Sequence, residues 1–567
     1  MGSHPAPMFM VRANVFGGII TIIALLILVM LVIFPLGILF YKSFETDRGL
    51  SLQNYAVALS DPRNLSPLKN TLLLGAWTIA IAVFIGVPLA WLVVRTDLPG
   101  RNLAHSLCLL PYMLPPFIGA IAWIQLLAPR VGLVNRLWSN LFHTESSLFN
   151  IYSFSGMTWV MGLYAFPFVF LATKGALERM NPSLEEAARI SGAGRFKVMK
   201  DITLPLVVPS ILSGVMLAFL YTLTNFGVPA LLGMRARIFV LTTRIYSYVH
   251  RGDFSGIRLA TALSVLLVVM ALAIHMLNQW IIRRQHGAAI ISGKSVRPTI
   301  VELGQWRWPL GIIVHTFLLF SIVLPFVALF LTSFLRAWGV SIQWSNLTLR
   351  NYRYVLFEYP LTRRAITNSL VLGLTSATLT VIIGGILAYL SVKTQARGRK
   401  FIDLFCTLPN AIPATVVALA MILTYSGRFG INFYNSLAII LVAYLAHYLF
   451  YAFRNISASL IQIHPSLEEA ARVSGADRMR AFRDVIVPLV RPGLAAGWAL
   501  VFMPTVRELT MSILLYGPNT PTIGVAVYEL QEAGYFHLAA ALSCVIVVIL
   551  FAVNLVANRA VKLLGRL

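Results

Sequence analysis

Long uncharged apolar runs, separated by short polar and basic stretches, recur along the whole chain. Val15 to Tyr41 contains no charged residue, and roughly 20 apolar residues suffice to cross a bilayer. Hydrocarbon offers no water to the backbone, so such runs are helices that bond their own peptide groups. The pattern predicts twelve spans. The first six cover about 15–41, 71–94, 104–128, 150–173, 206–232 and 259–282. The second six cover about 309–335, 368–392, 402–426, 434–457, 489–516 and 536–558. The first run is too long for a signal-peptide core and lacks a small-residue cleavage site, so it counts as a span. The fold class expected is all-α: a polytopic membrane protein in two pseudo-symmetric halves of six helices.

Composition agrees. The chain has 567 residues, 58% hydrophobic and 11% charged, against about 25% charged in soluble domains. Its net charge of +25 would suggest nucleic acid in a soluble protein. Here the Lys and Arg residues serve to orient the spans. The bilayer is the expected partner and nucleic acid is not. With the N-terminus inside, 27 of the 45 Lys and Arg residues fall on the cytoplasmic side and 18, with the intramembrane Arg507, on the other, which favours a cytoplasmic N-terminus. One outer loop, with Arg235, Arg237, Arg244, Arg251 and Arg258, works against that bias. Cys108, Cys406 and Cys544 sit in apolar runs without metal or redox spacing. The histidines, among them His105, His143, His250, His275, His315 and His447, are scattered. No catalytic cluster emerges, so an enzyme is not expected.

The chain repeats itself. Pro182 to Pro209 aligns without gaps to Pro465 to Pro492, with 17 of 28 positions identical. Asn54-Tyr55 recurs as Asn351-Tyr352, Leu110-Pro111 with Pro115 as Leu408-Pro409 with Pro413, and Cys108 as Cys406. The predicted organisation is a first module over 1–282, a basic linker over 283–308 and a second module over 309–567. Six spans per copy give both copies the same orientation, with a pseudo-two-fold axis along the membrane normal and a solute path between the halves. In the linker, Gly293-Lys294-Ser295 looks like the end of a phosphate-binding loop. Ala288 stands where that loop needs its first glycine, and no strand precedes it. The chain is therefore not expected to hydrolyse ATP itself.

The most faithfully repeated segment is also the most polar, and it lies on the predicted cytoplasmic side. Ser183-Leu184-Glu185-Glu186 and Ser466-Leu467-Glu468-Glu469 read as capping boxes. A short helix follows each, and Gly192 and Gly475 are placed to end it in the left-handed conformation. The segment resembles the EAA loop of permeases in ATP-binding-cassette importers: E-A-A, three residues, G, nine residues, then I-x-L-P. Glu186-Ala187-Ala188 with Gly192, Ile202, Leu204 and Pro205 matches fully. Glu469-Ala470-Ala471 with Gly475, Val485, Val487 and Pro488 departs only in two valines. The resemblance implies that each loop docks one of two copies of a separate nucleotide-binding ATPase subunit. Glu186 and Glu469 would act as polar anchors, Ala187, Ala188, Ala470 and Ala471 as contact surface, and Gly192 and Gly475 as turns. It further implies a periplasmic solute-binding protein as partner and the bacterial inner membrane as location. ATP and Mg would be held by the partner subunit, with no cofactor in this chain. The Pro-rich third spans and the fusion of two permeases resemble the ferric-iron and related oxyanion branch.

Intramembrane ionisable residues are candidates for the solute path. Arg507 and Glu508 follow the helix-breaking Pro504, and the matching place in the first half holds Asn225 between Thr224 and Phe226-Gly227-Val228-Pro229. Paired interrupted spans point to a translocation site. Buried hydrogen bonding between helices, without solute contact, fits the same residues. Pro111, Pro115 and Pro116, with Pro409 and Pro413, are expected to kink the third spans, either as a gate or as packing kinks. Ferric iron prefers oxygen ligands, and Glu508, Tyr221 and Tyr246 carry oxygens, but no carboxylate cage is visible. The basic outer loop suits an anionic solute such as a sugar phosphate or phosphonate, a chelated metal, or an acidic binding-protein face. Polyamines and an ion-driven carrier are the remaining alternatives.

Overall fold

The computed structural model describes residues 21–286, 300–394 and 398–564. Gly287, Ala288, Gly293-Lys294-Ser295 and Pro298 of the linker lie outside the described residues, as does the start of the first expected span. The first repeat runs through α1 (Thr21–Phe44), α2 (Pro62–Arg95), α3 (Arg101–Met113), α4 (Pro116–Leu127), α5 (Leu133–Phe142) and α6 (Phe154–Arg179). It continues with α7 (Ser183–Ile190), α8 (Phe196–Thr224), α9 (Leu241–Arg251) and α10 (Phe254–Arg283). The second runs through α11 (Gly304–Phe334), α12 (Pro360–Lys393), α13 (Arg399–Ala411), α14 (Ala414–Tyr425) and α15 (Leu437–Gln462). It closes with α16 (Pro465–Val473), α17 (Met479–Val506), α18 (Ser512–Leu515), α19 (Ile523–Glu532) and α20 (Phe536–Val556).

Ten of these helices are long and apolar enough to span a membrane, and two bent pairs bring the number to twelve. The third spans are broken far more sharply than the expected kinks: α3 and α4 meet at 107°, α13 and α14 at 112°. The cause is local. Leu114 and Ile412 each precede a proline, and a residue before proline is pushed out of the helical region. Both are extended, at φ −96° with ψ 147° and 126°. Pro115 and Pro413 are themselves extended, and a new helix then starts at Pro116 and Ala414. The fifth spans also end early, at Thr224 and Val506 rather than near 232 and 516.

The described residues pack as two compact units. One groups α1 with α12 to α18, and the other groups α2 to α11; α19 and α20 contribute to both. Each unit therefore takes its leading helix from the other repeat. In the first unit, Leu31, Val32 and Pro35 of α1 face Pro409, Ile412 and Met421 around a small apolar cavity at the third-span break. The Tyr425 hydroxyl donates to the Met30 carbonyl there at 2.6 Å. In the second unit, Ser321, Ile322 and Pro325 of α11 face Pro111, Gly119 and Tyr164 in the same way.

The centre of each unit is a close crossing of its second, fourth and fifth spans. With no water-driven force between helices in lipid, small residues that let backbones approach supply the packing. A Cβ on Gly214 of α8 would lie 2.9 Å from the Val169 Cα and 3.0 Å from the Phe168 carbonyl oxygen. Gly86 of α2 meets the same turn of α6, at 3.0 Å from the Phe166 oxygen. In the first unit, Gly384 and Gly497 converge likewise on Ala452. Because these neighbours are backbone, they cannot rotate away. Gly214→Val is expected to destabilise the chain by about 1–3 kcal/mol through overpacking, seen as a lowered unfolding temperature in lipid nanodiscs. Gly37→Val, at a site with nothing within 4 Å, should leave that temperature unchanged.

Candidate functional site

The two repeated polar loops fold alike. α7 and α16 are short because of how they begin and end. Their starts differ from the expected capping boxes: Ser183 and Ser466 lie inside the first turn, not at the cap. The first free backbone donors go instead to the preceding residues. The Asn181 side chain accepts from the Ser183 N–H at 3.1 Å, and the His464 ring nitrogen accepts from the Ser466 N–H at 3.2 Å. The ends follow expectation. Gly192 and Gly475 adopt φ of +84° and +90°. Ala193 N–H reaches the Ala188 carbonyl and Gly192 N–H the Arg189 carbonyl, both at 3.0 Å. The second loop repeats this with Ala476 to Ala471 and Gly475 to Arg472. This is a Schellman ending, which the left-handed glycine makes possible.

The exposed faces also match. Glu186, Ala187 and Gly192 are exposed and Ala188 half-buried, as are Glu469, Ala470, Gly475 and Ala471 in turn. Ile190 is 88% exposed and its counterpart Val473 89%. Leu184 and Leu467 are exposed six residues earlier. Each loop thus presents an acid and exposed apolar side chains to the outside of this chain.

Beneath the loops the match ends. Glu185 is buried and forms an ion pair with Arg95, the last residue of α2, which is 1% exposed. The Thr203 hydroxyl donates to the other Glu185 oxygen at 2.6 Å. Glu185 lies within the segment expected to form a capping box, and Arg95 falls just past the expected second span, 71–94. The available signal was a single basic residue closing each second span. In the second repeat the positions hold Glu468, Lys393 and Ile486. Glu468 is half-buried, and the Lys393 ammonium donates to the Ile463 carbonyl at 2.6 Å.

At the fifth-span breaks the offset of the repeated loop carries on and pairs Asn225 with Glu508. Asn225 directly follows its helix, which ends at Thr224, and Glu508 lies two residues past Val506. The Asn225 side-chain oxygen accepts from the Val228 N–H at 3.2 Å, and its carbonyl from the Thr242 hydroxyl at 3.0 Å. One Glu508 oxygen accepts from the Met511 N–H at 2.7 Å. The other accepts from the Ser512 N–H at 2.9 Å and the Ser512 hydroxyl at 2.8 Å, with the Tyr444 hydroxyl at 3.4 Å. Both residues thereby cap the chain three positions on, where a bilayer offers no water. Glu508 is surrounded by donors, an arrangement that suits an acceptor and not a cation ligand. Arg507 is half-buried beside it. Tyr246 stacks on His250 at 5.6 Å and Tyr221 tilts against Phe168 at 5.2 Å, both in the second unit.

The basic segment carrying Arg235, Arg244 and Arg251 is engaged within its own unit. Arg235 donates to the Tyr152 hydroxyl and Arg244 to the Tyr248 hydroxyl, each at 3.0 Å. Arg251 lies 3.5 Å from Asp253. A hydrogen bond from Ser255, with the Arg251 charge adding to it, holds the Asp253 carboxyl below the usual range. Among the described residues no group of three or more His, Cys, Asp or Glu side chains is placed to hold a metal ion.

A family model described as binding-protein-dependent transport system inner membrane component matches the chain twice, over residues 79–286 and 380–567. The chain belongs to that family. It is a fused two-half permease of the ATP-binding-cassette importer type. The ferric transport system permease protein FbpB of Actinobacillus pleuropneumoniae is 24% identical over 95% of this chain and 77% of its own length. The Fe(3+)-transport system permease protein FbpB 2 of Haemophilus influenzae is 26% identical over 93% of this chain and 96% of its own. The molybdenum transport system permease protein ModB of Escherichia coli is 30% identical over 35% of this chain and 84% of its own. Within this permease family fold, the Glu508 cap generates a stability prediction. Glu508→Ala leaves buried donors without an acceptor, and each lost bond of this kind costs about 1–3 kcal/mol. The variant should unfold at a clearly lower temperature in nanodiscs, with or without a bound solute.

Proposed function

We propose that this permease couples ATP hydrolysis by two copies of a separate ATPase subunit to uptake of ferric iron delivered by a periplasmic binding protein. The observation that carries the coupling half is the pair of Schellman-ended helices with matching exposed faces. Glu186 and Glu469 offer a carboxylate to a basic partner, Ala187, Ala188, Ala470 and Ala471 allow close approach, and Gly192 and Gly475 fix the turn. Exposed Leu184 and Ile190, and Leu467 and Val473, add apolar contacts that suit a groove. ATP and Mg belong to the partner, and this chain brings no catalytic residue. The chain sits in the bacterial inner membrane with its N-terminus and both loops on the cytoplasmic side.

Ferric iron is supported by relatives that carry that substrate in their names and align over nearly the whole fused length. An oxyanion or other anionic solute is the second reading. Half-buried Arg507 and the relative named for molybdenum transport favour it. In either case Asn225 and Glu508 shape the path by capping the breaks, and half-buried Arg507 places a positive charge beside them.

Two measurements test this. Glu186→Lys combined with Glu469→Lys should abolish co-purification with the ATPase while the spans remain inserted; an intact, transporting complex would refute the docking assignment. Proteoliposomes holding the assembled importer should take up radiolabelled ferric iron from its binding protein, with molybdate and a phosphonate as competitors. Uptake of either anion in preference to iron decides for the second reading, and Arg507→Met should then abolish it.

A further inference from the structure

The two docking loops match closely from outside and are held differently from inside. In the second unit, Arg95 and Glu185 form a buried pair, and Thr203 completes the shell around the carboxylate. α2 and α12 both run 34 residues, and each is followed by a threonine whose hydroxyl bonds the carbonyl four residues back. Arg95 and Lys393 are therefore true counterparts. Yet Lys393 is committed to the Ile463 carbonyl, ahead of the second loop, and Ile486 replaces Thr203. The end of α2 carries a further set of bonds. The Arg95 carbonyl accepts from the Val301 N–H at 2.7 Å, and the Asp97 carboxylate from the Leu303 N–H at 2.9 Å. So the first docking loop, the end of α2 and the segment leading into α11 form one hydrogen-bonded junction.

We propose that Arg95 is a positioning residue that clamps the first docking helix to α2 through Glu185, so that the two loops are mechanically unequal. The first moves as one body with α2 and the approach to α11. The second is held through a backbone carbonyl and moves more freely against α12. A carboxylate deprived of its partner in such a site is strongly disfavoured, so the clamp resists opening. The inference rests on the reading that these loops dock the ATPase only for its consequence in transport, and the clamp itself is tested without the ATPase.

The direct measurement is amide hydrogen exchange on the full chain alone in lipid nanodiscs. Amides of Ser183 to Gly192 should exchange about tenfold more slowly than those of Ser466 to Gly475. Equal exchange in the unmodified chain overturns the proposal, and this result needs no variant. Arg95→Met with Glu185→Leu removes both charges together, which leaves no lone charge in the site. It should bring the first loop to the exchange rate of the second, while Lys393→Met leaves the first loop unchanged. An unaltered rate in the double variant also overturns the proposal. In the assembled importer, the double variant should keep its ATPase subunits and consume several-fold more ATP per solute imported. Unchanged stoichiometry refutes the coupling role. Failure of the docking reading has a different signature, retention of the ATPase by the Glu186→Lys and Glu469→Lys variant.

Discussion

A peptide group that leaves a helix inside a bilayer has nowhere to turn but to the protein itself. Most of this molecule obeys that constraint by staying helical. The instructive places are where it does not. At the third-span breaks, proline removes a donor and forces its predecessor to extend, and the new helix begins at once. At the fifth-span breaks a side chain takes over: Asn225 in one repeat and Glu508 in the other accept the N–H groups that the helix has released. The same solution at corresponding positions, by an amide and by a carboxylate, shows that the requirement is an acceptor and not a charge.

This changes the meaning of an acid in the membrane. From sequence, Glu508 stands out as an ionisable residue in an apolar run, and a solute contact is the natural expectation. Its geometry satisfies the alternative reading, a buried polar group fully occupied by its own chain. An interrupted span can therefore be held by side-chain acceptors of its own chain, and the acid is accounted for before any solute contact is invoked.

Much of the fold was legible in the sequence because the constraint that shapes it is one-dimensional. Apolar length located the spans, and repeat spacing separated the two modules. Gly192 and Gly475 were readable because left-handed backbone calls for glycine. What stayed hidden depends on contacts between segments far apart in the chain. Arg95 reads as a flank of α2 until Glu185 folds onto it. The exchange of α1 and α11 between packing units leaves no local trace. Ser183 and Ser466 illustrate the opposite failure: a local motif was present, but Asn181 and His464 two residues earlier supplied the acceptor first.

The fused chain gives the buried clamp a setting that separate half-permeases do not have. Two copies of one gene product must carry every residue twice, so a feature such as Arg95, Glu185 and Thr203 would occur on both sides or on neither. Joined in one polypeptide, the halves are free to differ position by position. Arginine stands against lysine, threonine against isoleucine, and α5 lies between the third and fourth spans of one repeat where the other has a short loop. Fusion is thus a licence for broken symmetry. It lets one half hold its repeated loop by a buried ion pair and the other by a lysine on a backbone carbonyl, and each substitution made in one half finds its own control in the other.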